Sequence, residues 1–143
     1  MANGRKLMLI MSWYTIGMSI FWVFATDIAF VSDFQGYTGI SFADYTISSP
    51  TFANIYIITK KLVGLMILTS GVLTLLITHY SYGKGEKWSW YALLSVAILL
   101  WGSLIGYRVY IGYVAPSMVT FLLGFILNII GLALPAREFL GKE

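Results

Sequence analysis

From Leu7 to Thr26 the chain runs without a charged side chain. A helix needs roughly 20 apolar residues to cross about 30 Å of hydrocarbon. Three further stretches approach that length: Leu62 to about Thr78, Ser89 to Tyr107, and Ser117 to Leu134. The apolar runs are continuous and do not alternate at period two, so a β-barrel is disfavoured. Only 10% of the chain is charged, against about 25% in soluble domains. The sequence therefore predicts an all-α polytopic membrane protein. It would be a single domain over residues 1–143, a bundle of four transmembrane helices at about 7–26, 62–78, 89–107 and 117–134. A long structured outer loop, residues 27–49, would join the first two.

Arg5 and Lys6 precede the first span and give it the look of a signal peptide. Its apolar run is longer than a signal core of about 7–15 residues, so it reads as a retained anchor. Ser49-Pro50 reads as an N-cap followed by proline in the first helical turn. A helix starting there would run to about Tyr80, with Gly83 and Gly85 breaking it. Pro116 would open the fourth helix and Pro135 weaken its end.

The basic residues give an orientation. Arg5, Lys6, Lys84, Lys87, Arg137 and Lys142 fall on the side of the termini, and Lys60, Lys61 and Arg108 on the other. The positive-inside bias then places both termini in the cytoplasm; the expected location is the cytoplasmic membrane of a prokaryote. Asp27, Asp33 and Asp44 lie outside; Glu86, Glu138 and Glu143 lie inside. The inner face is net basic, which suits an anionic leaflet. The outer connection carries Phe30, Phe34, Tyr37, Ile40, Phe42, Tyr45 and Ile47. Two readings are open for so aromatic a loop: an interfacial cap, or a lid over a site or docking surface.

Small residues let membrane helices approach closely. Ser12, Thr15, Ser19 and Thr26 share a face in the first span; Gly64, Gly71, Thr74 and Thr78 in the second; Ser95, Gly102 and Gly106 in the third; Gly124, Asn128 and Gly131 in the fourth. The Gly102–Gly106 pair reads either as packing inside the bundle or as a seam between copies. The halves are faintly alike, Ser12-Trp13-Tyr14 against Ser89-Trp90-Tyr91 and Gly64/Gly71 against Gly124/Gly131, which would make a parallel repeat.

Charge inside a membrane is costly and draws attention to Asp27, Lys60, Lys61 and Arg108. Lys60 is explained by snorkelling. An outer ion-pair cluster is expected at Asp27, Lys61 and Arg108, either structural or at the mouth of a pocket. Asn128 wants a partner such as Thr15, Ser19 or Thr74, or a ligand. His79 reads as interfacial beside Tyr80 and Tyr82. Trp88, Trp90, Tyr91, Tyr107, Tyr110 and Tyr113 form aromatic belts. Trp22 and Trp101 lie deeper, lining a cavity or filling the core, and Met8, Met11 and Met18 read as packing. Cysteine is absent and there is one histidine, so no thiolate, haem or metal site is expected. No nucleophile stands beside a base and no phosphate-binding loop is present. The pattern favours a non-enzymatic protein without cofactor and without nucleic-acid partner.

The stretch Gly83-Lys84-Gly85-Glu86-Lys87-Trp88-Ser89-Trp90-Tyr91, opening the third span, resembles an element of small four-helix membrane proteins that look like the DoxX group of bacteria and archaea. The layout of four spans, a long loop after the first and a KG–KW turn before the third is also similar to the EXPERA domain of sterol isomerases and sterol-binding receptors. The layout covers the whole chain and the motif covers residues 83–91. EXPERA-type ligand sites use carboxylates on the early helices, and the resemblance implies Asp27 for one of them. Lys60 and Lys61 stand where a second would be wanted, so isomerase chemistry does not carry over. The DoxX group includes subunits linked to quinone-reducing enzymes.

Three functions follow as expectations. The first is an accessory or assembly subunit of a larger membrane complex, or a homo-oligomer. The second is a binding protein for an apolar small molecule, such as a quinone, isoprenoid or sterol-like lipid. A small transporter or channel is third, because no ionisable residue lies at mid-depth.

Overall fold

The computed structural model describes residues 2–113 and 117–141. The expectations placed on Pro116, Lys142 and Glu143 lie outside the described residues. Among the described residues there is no strand. Helix α1 spans Ala2–Phe24, and three short helices follow: α2 (Thr26–Ala29), α3 (Val31–Thr38) and α4 (Phe42–Ser48). Helix α5 runs from Pro50 to Tyr80. A single 3₁₀ turn, Tyr82–Lys84, leads to α6 (Lys87–Val96), a π-helical segment (Ala97–Gly102) and α7 (Ser103–Tyr110), which form one continuous rod. Helix α8 (Ser117–Ala133) and the short α9 (Ala136–Leu140) complete the chain.

Among the described residues three helices are long and apolar enough to cross a membrane: Ala2–Phe24, Pro50–Lys84 and Lys87–Tyr110. The apolar α8 has 17 residues, about 26 Å at 1.5 Å per residue. With 31 residues, α5 is about 46 Å long and exceeds the hydrocarbon thickness by about 16 Å. Its first three turns therefore extend past one end of the bundle and support α4. The surroundings of α5 explain its limits. Pro50 occupies the first helical turn, where a missing N–H costs nothing. Beyond Tyr80 the chain reverses through Gly85, whose φ of 76° is open to glycine without a steric penalty.

Helix α1 lies at the centre, packed along α5 on one side and α8 on the other. Its buried face is Met8, Met11, Ser12, Thr15, Ser19 and Trp22. The small residues expected to face inward on α1, α5 and α8 do so: Gly64, Gly71, Thr74, Thr78, Gly124 and Gly131 are all buried. A Cβ at Gly71 would approach Ile16 and Thr15 to 3.0–3.1 Å, and one at Gly131 would meet Met8 Sδ at 2.6 Å. Two core clusters result. Met8, Tyr82, Leu93, Ala97, Leu132 and Phe139 fill the end near the termini. Met11, Trp22, Phe30, Ile67, Trp101 and Phe121 fill the middle and the opposite end.

The third span departs from expectation. Ser95 and Gly106 lie on the outside, and Gly102 is half-buried. A Cβ at Gly106 would meet nothing within 4 Å, and one at Gly102 only the carbonyl of its own helix at 3.9 Å. The inward face is instead Ser89, Leu93, Ala97, Trp101 and Arg108. Residue size did not decide the facing: the Ser95 hydroxyl bonds the Tyr91 carbonyl one turn back, at 3.0 Å, as the inward-facing Ser12 bonds that of Met8, so this bond is compatible with either face. The inward positions recur every four residues from Ser89 to Trp101. In a regular α-helix each such step rotates by about 40°. The wider π turn takes up that rotation. Trp101 thus stays aimed at α8, where its ring rests on Gly124.

Candidate functional site

The site lies where α2, α3 and α4 fold over the end of the bundle. Phe30, Asp33, Phe34 and Tyr37 are spaced to share one side of the α3 region, so a single short helix presents a carboxylate among aromatic rings. Phe34 is the hub of this cap. Its ring centroid is 5.1 Å from Phe42, 4.9 Å from Tyr45 and 5.3 Å from Tyr56. Tyr113 closes the other side against Tyr37 and lies so near Gly36 that a side chain there would collide with its hydroxyl. Below the cap, Trp22 stacks between Phe30 (4.8 Å) and Phe121 (5.5 Å). The 27–49 connection is therefore ordered helix with its own aromatic packing.

Charge enters this apolar setting at three residues. Arg108 Nη2 donates to Asp33 Oδ2 at 2.6 Å and to Ser117 Oγ at 3.2 Å. Ser117 Oγ in turn donates to the same Asp33 oxygen at 3.3 Å. The side chains of Arg108 and Asp33 are 9% and 7% exposed, so the pair is withdrawn from solvent and its hydrogen bonds are of the strong, charge-assisted kind. The guanidinium also lies 5.9 and 6.0 Å from the rings of Tyr113 and Phe121. Lys60 reaches in from α5. Its ammonium stands 5.2 Å from the Tyr56 ring centroid and 5.5 Å from that of Phe30, within cation–π range.

These groups surround a cavity of about 390 Å³, walled by Trp22, Tyr56, Leu104, Tyr107 and Phe121, with Asp33, Lys60 and Arg108 among its lining. That volume lies within the range of small-molecule sites, roughly 300–1,000 Å³. A second hollow of about 270 Å³ lies between α1 and α8, lined by Met18, Phe21 and Thr120. It shares Trp22 and Phe121 with the first. Phe21 and Thr120 are exposed on the outside of the bundle, so this hollow opens toward the outer surface between α1 and α8.

The residues singled out from sequence divide. The expected Asp27–Lys61–Arg108 cluster is split. Lys61 faces Asp27 at 3.9 Å on an exposed surface, while Arg108 takes Asp33 as its partner. Asp27 follows directly on α1, where its short side chain stays outside; Asp33, two turns later, is carried inward by α3. Asn128 does not reach Thr15, Ser19 or Thr74. Those hydroxyls bond the carbonyls of Met11, Ile16 and Ser70 on their own helices. Both amide atoms of Asn128 are buried without a partner in the structure. Gly64, Gly71, Gly124 and Gly131 carry close packing, and Gly102 and Gly106 do not. Trp22 lines the cavity, and Trp101 is core. Lys60, read from sequence as snorkelling, faces the cavity. His79 sits edge-on to Tyr80 at the far end of α5. No His, Asp or Glu cluster that could hold a metal is found among the described residues. No protein-family model matches the chain, and comparison with curated proteins and with solved structures gives no match; the reading of the site rests on its own geometry.

Proposed function

We propose that this chain is a small integral membrane protein that binds a lipid-soluble molecule in the capped cavity. On this reading α8 is a fourth, slightly short span, and the bundle crosses with both termini cytoplasmic. The cap of α2–α4 then lies at the outer surface. The observation that carries the proposal is the composition of the cavity wall: rings and aliphatic side chains on most sides, with charged groups gathered among them. Such a lining suits a ligand with an apolar body and one polar group, such as a quinone, an isoprenoid or a sterol-like lipid. The proposal is for binding, since what the described lining offers is apolar surface with a few charged groups.

Native mass spectrometry of protein gently extracted from its own membrane tests this. A single chain carrying one small apolar mass supports it. Loss of that mass in Leu104→Trp, which fills the cavity, would assign the place. The second reading, an accessory subunit, is favoured by the open face around Gly102 and Gly106, and a larger protein co-purifying in fixed ratio would put it ahead.

A further inference from the structure

Lys60 is the one cation at the cavity whose charge is not already matched. Arg108 is neutralised by Asp33 at 2.6 Å. Asp27 is engaged by Lys61 on the outside. No carboxylate among the described residues forms a close ion pair with Lys60; Asp33, which acts on it from a distance, is bonded to Arg108, and the ammonium lies over the faces of Phe30 and Tyr56. Ring faces compensate a cation weakly compared with an anion. By formal charge the described lining holds Lys60 and Arg108 against Asp33 alone, one cation more than carboxylate in an apolar setting where an unmatched charge is costly. Lys60 donates and cannot accept, so a partner that matches it brings acceptor oxygens.

We propose that the ligand is an amphiphile with an acidic head, a carboxylate or a phosphate, seated at Lys60. Its hydrocarbon tail would leave past the Trp22–Phe121 pair along the hollow between α1 and α8. That hollow is mainly apolar, is separated from the cavity by those two stacked side chains, between which the tail would have to pass, and is lined at its outer side by the exposed Phe21 and Thr120. The inference rests on the binding function proposed above and adds the chemical class of the ligand.

The test uses the full chain in neutral-lipid nanodiscs with cis-parinaric acid and its methyl ester, which differ only in the head charge. The acid is expected to bind saturably and at least about tenfold tighter than the ester. Lys60→Met should bring the acid down to the ester's affinity. Lys61→Met, which alters the exposed pair, should leave the preference intact. Thr120→Trp, which narrows the tail hollow, should weaken acid and ester alike. Displacement by oleate or by a polyprenyl monophosphate supports the proposal and tells which head is preferred. Displacement by inorganic phosphate at similar concentration would overturn it, because the tail would then contribute nothing. Equal binding of acid and ester would overturn the acidic head and leave the cavity reading standing. No saturable binding of either would overturn both. The acid-to-ester ratio of the unmodified protein decides the matter even where a variant fails to fold.

Discussion

Arg108 and Asp33 are separated by 75 residues in sequence and joined at 2.6 Å in space. The bond ties the third span to the helical cap across the mouth of the cavity, and Ser117 at the start of α8 fastens onto the same carboxylate oxygen. Three parts of the chain that could otherwise move independently are held by one buried pair. The cavity's shape depends on that pair, whereas its unbalanced charge resides on Lys60.

The pair should behave as a buried ion pair in mutagenesis. Asp33→Asn or Arg108→Met alone leaves one charge without its partner and should lower stability by about 3 kcal/mol or more. The double variant Asp33→Asn/Arg108→Met should recover a large part of the loss. Asp27→Asn, on an exposed pair 3.9 Å apart, should cost less than about 1 kcal/mol. Thermal unfolding of the parent protein and the four variants in one detergent compares them. Equal losses for Asp27→Asn and Asp33→Asn would mean that burial does not separate the two pairs.

The glycines make a matched comparison. A Cβ at Gly124 would lie 2.5 Å from the Trp101 ring, and Trp101 is 1% exposed with little room to retreat. Gly124→Ala should cost about 1–3 kcal/mol by overpacking and shift the tryptophan emission. Gly106→Ala meets nothing within 4 Å and should be neutral or stabilising by up to about 1 kcal/mol, since alanine favours helix. A clear loss for Gly106→Ala, with a change in particle size by light scattering, would reveal a seam between chains.

Much of the architecture was legible because lipid demands long apolar runs and close helix contacts. The breaks at Ser49-Pro50, Gly83 and Gly85, and the buried stripes of α1, α5 and α8, all lie where local chemistry sets them. The site was less legible, since its key pair is a tertiary fact. From sequence Asp27 stands out by its place at the end of the first span, and only the turn between α1 and α3 makes Asp33 the one carried inward to Arg108. A signal was present: Phe30, Asp33, Phe34 and Tyr37 have helical spacing, which places the carboxylate with the aromatics. The facing of the third span was misread because its π segment shifts the register around Trp101, and glycine content reports closeness only where another helix is near.

The turn before the third span should carry a local pH response. Glu86 accepts a hydrogen bond from the Trp88 indole at 2.8 Å. The Ser81 side chain, first, and Trp88, second, hold its carboxyl below the usual carboxylate range, since both favour the charged form. A lowered folded-state value means that the contribution is present above the unfolded carboxylate's pKa. It is lost as pH falls through the lower folded value. The difference in emission between the parent protein and Trp88→Phe should therefore stay constant down to ordinary carboxylate pH and change only below it. In Glu86→Gln that acid step should vanish. A step at or above the usual carboxylate pKa would contradict the hydrogen-bonded geometry.

Asn128 gives the last comparison. It is 1% exposed and leaves both amide atoms without a protein partner, although Gly124 and Gly131 on the same face pack tightly. An unsatisfied buried polar group costs about 1–3 kcal/mol. Replacing it by an apolar side chain of similar length removes that cost, so Asn128→Leu should raise the melting temperature by a few degrees, a gain of about 1 kcal/mol after allowance for the bulkier side chain. The Asn128→Ala variant separates polarity from volume: it also removes the unsatisfied amide but leaves a void, and should fall below Asn128→Leu. If both variants lose several kcal/mol instead, the amide is satisfied in the membrane by a bound water or by the ligand. Melting curves recorded with and without that ligand separate the two: a loss only in the ligand-bound protein assigns the ligand, and a loss in both assigns the water.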